Sequence, residues 1–157
     1  MRLIFILLIA ISTTAEAQQI NFEQKAFDYF FDSIFVEKYP GVKSLQFNGA
    51  TDKEMSEFSL FKNCFKGEDE IRIKLANNAY GKILAEKVIN TEVDLVSFKK
   101  GKVKSKIKLH VLHANEVNRK FYVMVGLVKS KHYTHAYFFE LDKNGDVLRW
   151  CQTGMTH

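Results

Sequence analysis

One proline and eight glycines in 157 residues leave little room for flexible linkers. Two cysteines permit one internal disulfide at most and exclude a disulfide-rich scaffold. Common catalytic signatures are missing: there is no G-x-S-x-G, no H-E-x-x-H and no glycine-rich loop to cradle a phosphate. No internal repeat and no low-complexity tract interrupts the chain. Beyond residue 11 no apolar run approaches the roughly 20 residues needed to cross a bilayer as a helix. These absences point away from the motif-bearing hydrolases and nucleotide-binding folds, from repeat proteins and from helical membrane proteins.

What is present is aromatic and basic. Fourteen Phe and six Tyr accompany a hydrophobic content of 46%, enough to build a core in a chain of single-domain length. The formal charge is +5 with a pI near 9.1. The first residues read as a targeting segment. Arg2 is followed by the apolar run Leu3 to Ile11, and Ala15-Glu16-Ala17 has the small-x-small form of a cleavage site. The pattern predicts a signal peptide over 1–17 and a single domain over 18–157, secreted or periplasmic, with no membrane span after cleavage. In such a compartment Cys64 and Cys151 either form a bridge or remain two separate buried thiols; spacing alone decides neither.

Periodicity predicts one helix and several strands. Asn21 is a helix-capping residue with Gln24 three positions on. Phe27, Phe30, Phe31, Ile34, Phe35 and Val36 form an apolar stripe that Pro40-Gly41 terminates. A short strand is expected over Val42–Phe47, and a short helix capped by Thr51 or Asp52 fits 52–65. A second helix is expected over Asp69–Glu86. Thr91–Lys99 reads as a strand. Lys102–His113 alternates cleanly, with Val103, Ile107, Leu109 and Val111 against Lys104, Lys106, Lys108 and His110. A loop over Ala114–Asn118 leads to Phe121–Val128, and turns near 129–133 and at Asn144-Gly145 complete a meander ending at Cys151.

Chemistry-bearing residues are sparse. Two H-x-x-H pairs occur: His110 and His113, three apart on a strand, face opposite sides, whereas the His132–His135 loop could place two imidazoles together but has no third ligand near, so no metal is expected. The stretch Asp142 to Asp146 is too short for a calcium loop and has Thr153 where the required Glu would stand. Neither cysteine has a nearby base on an ordered segment, and no cofactor is implied. The lysines Lys102, Lys104, Lys106 and Lys108 form a positive stripe on one strand face. They either bind a polyanion or keep an exposed strand soluble and resistant to edge pairing. No aromatics interleave with them, which argues against nucleic acid.

A signal peptide, one Phe-rich helix and a long antiparallel sheet resemble the helix-on-sheet layout of cystatin-like and NTF2-like domains, and the ending FFELDKNGDVLRWC resembles small secreted bacterial proteins. The Q-x-V-x-G hairpin of cystatin-type inhibitors is absent. The resemblance implies an α+β fold with the N-terminal helix packed on an antiparallel meander of about four to five strands, and it carries no functional residue. The expected role is a non-enzymatic binding or interaction module for an unknown protein partner. The alternatives are a pocket between helix and sheet for a small apolar ligand, conceivably enzymatic, lined by Tyr29, Phe31, Tyr122, Tyr137 and Phe139, and a polyanion-binding lysine face.

Overall fold

The computed structural model describes residues 20–53, 61, 64–65, 67–79, 83–94, 96–100, 107–130 and 133–156. The targeting segment, Lys102, Lys104, Lys106 and His132 lie outside them. The fold is α+β. A helical stretch starts at α1 (Phe22–Tyr29), passes through a π-helical turn at Phe30–Phe35 and ends as α2 (Val36–Lys38). Asn21 caps it, its Oδ1 accepting from the Gln24 N–H at 2.9 Å. Gln24 does not close the reciprocal half of a capping box. Its side chain instead clamps Asn90, donating to that residue's carbonyl and accepting from its N–H.

Strands β1 (Ser44–Gln46), β2 (Ser97–Lys99), β3 (Lys108–Val111), β4 (Asn115–Val117), β5 (Lys120–Ser130), β6 (Tyr133–Leu141) and β7 (Val147–Thr156) form one seven-stranded sheet in the order β2-β1-β3-β5-β6-β7, with β4 also on β5. It is mixed. β1 runs parallel to β2 and to β3, while β3, β4, β5, β6 and β7 pair antiparallel. The expected antiparallel meander therefore covers only the C-terminal part. Parallel pairing needs partners distant in sequence, and a strand pattern says nothing of them.

Several boundaries differ from the sequence expectation. Ala114–Asn118 is not a loop: Asn115–Val117 pairs with 120–122, and Asn118-Arg119 makes the turn with both φ positive, at 53° and 63°. That is a two-residue type I′ hairpin turn, built with Arg where Gly is usual. The later hairpin goes the other way. Only Gly145 has positive φ there, 85°, and Gly145 N–H donates to Asp142 C=O, so Asn144-Gly145 sits in a longer loop rather than a two-residue turn. The helix expected over Asp69–Glu86 is α3 (Asp69–Ala79). Residues 84–89 are extended and lie against 49–53: Leu84 N–H donates to Lys53 C=O, Thr51 N–H to Lys87 C=O, and Ile89 N–H to Gly49 C=O. Of 91–99 only Ser97–Lys99 is strand.

Two cores flank the sheet. Under the helix, Phe27, Phe30, Phe31, Ile34 and Phe35 pack on Leu45, Val111, Val123, Val125, Leu127, Tyr137, Phe139 and Leu141. Val36 is left 46% exposed, so the helical stripe is narrower than its sequence suggests. On the opposite face Phe61, Leu75, Leu112, Tyr122, Met124 and Phe138 form a second cluster beneath α3, and there Cys64 and Cys151 are bridged with Cα atoms 5.7 Å apart. β5 and β6 supply both cores by simple alternation, which is why each carries apolar residues on both faces.

Candidate functional site

The five residues expected to line a helix–sheet pocket do not share one space. Phe31, Tyr137 and Phe139 are fully buried in the core under the helix, with Tyr29 edge-on to Phe139 at 5.9 Å. Tyr122 is on the far face, with its ring at 5.6 Å from Phe61. Rings occupy the helix–sheet interface at contact spacing, Phe30 to Tyr137 at 5.0 Å and Phe27 to Phe31 at 4.6 Å. They stack as a packed core does.

An open cleft of about 180 Å³ lies elsewhere, where the end of β1, the 48–52 segment and β3 meet. Gln46, Asn48, Asp52, Glu86, Lys108 and His110 supply its polar wall, with Phe47 and Leu109 among its apolar lining. Asp52 is placed by its own backbone, whose N–H donates to Val111 C=O at 2.9 Å. Its Oδ2 lies 2.8 Å from His110 Nδ1, a contact that orients the imidazole with Nδ1–H toward the carboxylate. Glu86 faces Lys53 at 3.8 Å across the exposed rim. Lys108 is the one described member of the expected polyanion stripe, and it is exposed on this cleft.

Behind the cleft is a buried polar relay. Thr51 Oγ1 accepts from Lys87 N–H at 2.9 Å and lies 2.9 Å from His113 Nε2. His113 Nδ1 faces Glu23 Oε1 at 3.6 Å, and the same oxygen accepts from Lys87 Nζ at 2.7 Å and from Ala114 N–H at 2.9 Å. Burial pushes the Glu23 carboxyl upward, but Lys87 and the Ala114 amide outweigh it and hold the group below the usual carboxylate range. Burial depresses His113, against the pull of Glu23, and so favours the neutral ring. Hydroxyl, imidazole and carboxylate follow one another as in a nucleophilic relay. Here, however, all three are buried, and the Thr51 and Glu23 oxygens also receive backbone N–H groups. The arrangement ties the helix start and the connection between β3 and β4 to the segment that carries Asp52. The short helix expected over 52–65, with Thr51 or Asp52 as its cap, falls largely outside the described residues; the pairing of Thr51 with His113 and of Asp52 with His110 spans about sixty residues and leaves no local signal.

Two further polar clusters sit apart from the cleft. On the far face Glu140 accepts from Lys120 at 2.5 Å, Tyr122 Oη at 3.0 Å and Arg149 at 2.5 Å, and Arg149 also reaches Glu68 at 2.6 Å. Burial raises the Glu140 carboxyl, but Arg149, Lys120 and Tyr122 together hold it low, while burial and Glu140 push the Tyr122 phenol up. Near the C-terminus of the helix, Tyr39 Oη bonds both His135 Nδ1 and Tyr137 Oη, and burial, Lys129 and Lys38 depress His135. His110 and His113 are not brought to one ligand set: His110 pairs with Asp52 and His113 with Thr51, while His135 bonds Tyr39 and its expected mate His132 lies outside the described residues. Among the described residues no three His, Cys, Asp or Glu side chains converge to hold a metal ion.

No protein-family description, no curated protein and no solved structure matches this chain.

Proposed function

We propose that this protein is an exported, non-enzymatic binding module, and that its binding site is the polar cleft beside Asp52 and His110. The leader pattern and the Cys64–Cys151 bridge support export, because disulfides persist in oxidising compartments. One observation carries the choice of site. The helix–sheet interface is filled with aromatic rings, whereas the cleft is open and bordered by groups that both donate and accept. At about 180 Å³ the cleft falls below the roughly 300–1,000 Å³ of drug-sized pockets and has room for one ring-sized ligand. Carboxylates at Asp52 and Glu86, amides at Gln46 and Asn48, and the ammonium of Lys108 suit a neutral polyhydroxylated ring such as a sugar unit, whose hydroxyls donate and accept at once. Saturation-transfer NMR with a panel of monosaccharides tests the reading. Transfer should appear for at least one neutral sugar and vanish in Asp52→Asn and in Lys108→Gln. Transfer to none, or transfer unchanged in both variants, would overturn it.

A second reading, a polyanion-binding face through Lys102, Lys104, Lys106 and Lys108, draws on the exposure of Lys108. Salt separates the two: polyanion retention collapses at high ionic strength, whereas a neutral sugar is indifferent to it. Replacing Lys104, Lys106 and Lys108 by Gln should abolish retention on an anionic matrix without unfolding the chain.

A further inference from the structure

The two ends of the sheet are built differently. At one end β2 is three residues long and closes on Lys99 with Lys100 next, the short and basic form that resists edge pairing. At the other end β7 runs for ten residues, Val147–Thr156, and among the described residues no strand lies beyond it. It holds no proline and no lysine, and Arg149 is its sole charged residue. That charge is directed off the strand and neutralised, because Arg149 reaches Glu140 at 2.5 Å and Glu68 at 2.6 Å. Leu148 is 52% exposed and Trp150 36%. Lys38 lies 5.3 Å over the Trp150 ring and donates to Gln152 Oε1 at 2.6 Å, so this ammonium too is engaged at the margin of the strand.

We infer that β7 is a homodimerisation edge: a second copy of this chain pairs its own β7 antiparallel to it across a two-fold axis, joining the two sheets. Antiparallel pairing of identical edges is isologous, so one surface serves both partners. A like-charged pair directly opposite is the usual obstacle to self-pairing. Here the strand's one cation is already matched by two carboxylates of its own subunit, which removes that obstacle. The bulge between Glu140 and Leu141 places Leu148 as the extra residue of β7, and Leu148 and Trp150 give the paired edges apolar contacts beside the main-chain bonds. A negatively charged partner strand would find no free cation within β7 to match, which favours the second copy over an acidic segment. The inference is independent of the cleft.

Sedimentation velocity on the oxidised chain cleaved of its leader, from micromolar to millimolar, provides the test. The expected result is a concentration-dependent monomer–dimer equilibrium that Leu148→Lys/Gln152→Lys weakens at least ten-fold. Far-UV circular dichroism and an intact disulfide confirm that the variant is folded. Should it fail those checks, hydrogen exchange on the unaltered protein decides instead: amides of β7 should be more protected at high than at low concentration, while those of β2 stay unchanged. The sole tryptophan gives a parallel signal, a blue shift of its emission on dimerisation. A monomer at every concentration overturns the inference, as does a folded double variant that dimerises as before, or β7 protection that ignores concentration.

Discussion

Removing Glu140 exposes how the far face is held together. The carboxylate is 1% exposed and serves three donors on three neighbours, and these neighbours differ in what they lose. Lys120 is 41% exposed and Arg149 38%, so both reach water, and Arg149 keeps Glu68. Their share of the cost is that of partly exposed ion pairs, about 1 kcal/mol together. Tyr122 is different: it is fully buried, and Glu140 is the acceptor for its hydroxyl. Left unpaired, that hydroxyl costs about 1–3 kcal/mol. Glu140→Ala should therefore destabilise by about 3 kcal/mol in urea unfolding of the oxidised protein. The partition is checked by a double-mutant cycle. In the Tyr122→Phe background the hydroxyl is gone and the same substitution should cost about 1–2 kcal/mol less. Strict additivity, or a Glu140→Ala cost below about 1 kcal/mol, would refute the view that Tyr122 carries most of the penalty.

Three other outcomes follow from the structure. Replacing Cys64 and Cys151 together by Ala opens a loop of 87 residues and should lower stability by about 4–5 kcal/mol on the chain-entropy model; a loss under about 1 kcal/mol in denaturant titration would show that the loop is fixed without the bridge. Acid should unfold the protein in two stages. His113 and His135 have folded pKa values below the ordinary 6.5, so below that pH the unfolded chain takes up protons that the folded one refuses and stability falls. Glu23 and Glu140 are depressed below 4.5, so their contribution is complete above that value and is lost as pH drops toward their folded pKa values. A stability curve flat between pH 7 and pH 5, as about 0.5 kcal/mol or less of change, would contradict the first stage. Gly145→Ala should cost about 1–2 kcal/mol, because φ is 85° there and a Cβ would stand 3.1 Å from Ile20 Cγ2 and Lys25 Cγ; an unchanged melting midpoint would show that the hairpin yields without penalty.

The division between what was readable in the chain and what was not follows the range of the interactions. Asn21, the Phe stripe and Pro40-Gly41 are local signals, and together they fix the N-terminal helix to within a residue or two. The alternation of Leu109 and Val111 against Lys108 and His110, and the long apolar runs of β5 and β6, likewise follow from a two-residue period acting on buried surface. Tertiary structure alone decided which strands became neighbours, because the parallel pairing of β1 with β2 and β3 joins Gln46 to Lys99 and to Lys108, far apart in the chain, and no periodicity encodes a partner. It decided that Cys64 and Cys151 meet, that Tyr122 faces away from Phe31, Tyr137 and Phe139, and that Thr51 and Asp52 each hold a histidine. The candidate cleft belongs to the same class. Each of its walls is an ordinary polar residue on its own segment, and only the crossing of three distant segments gives them a common space.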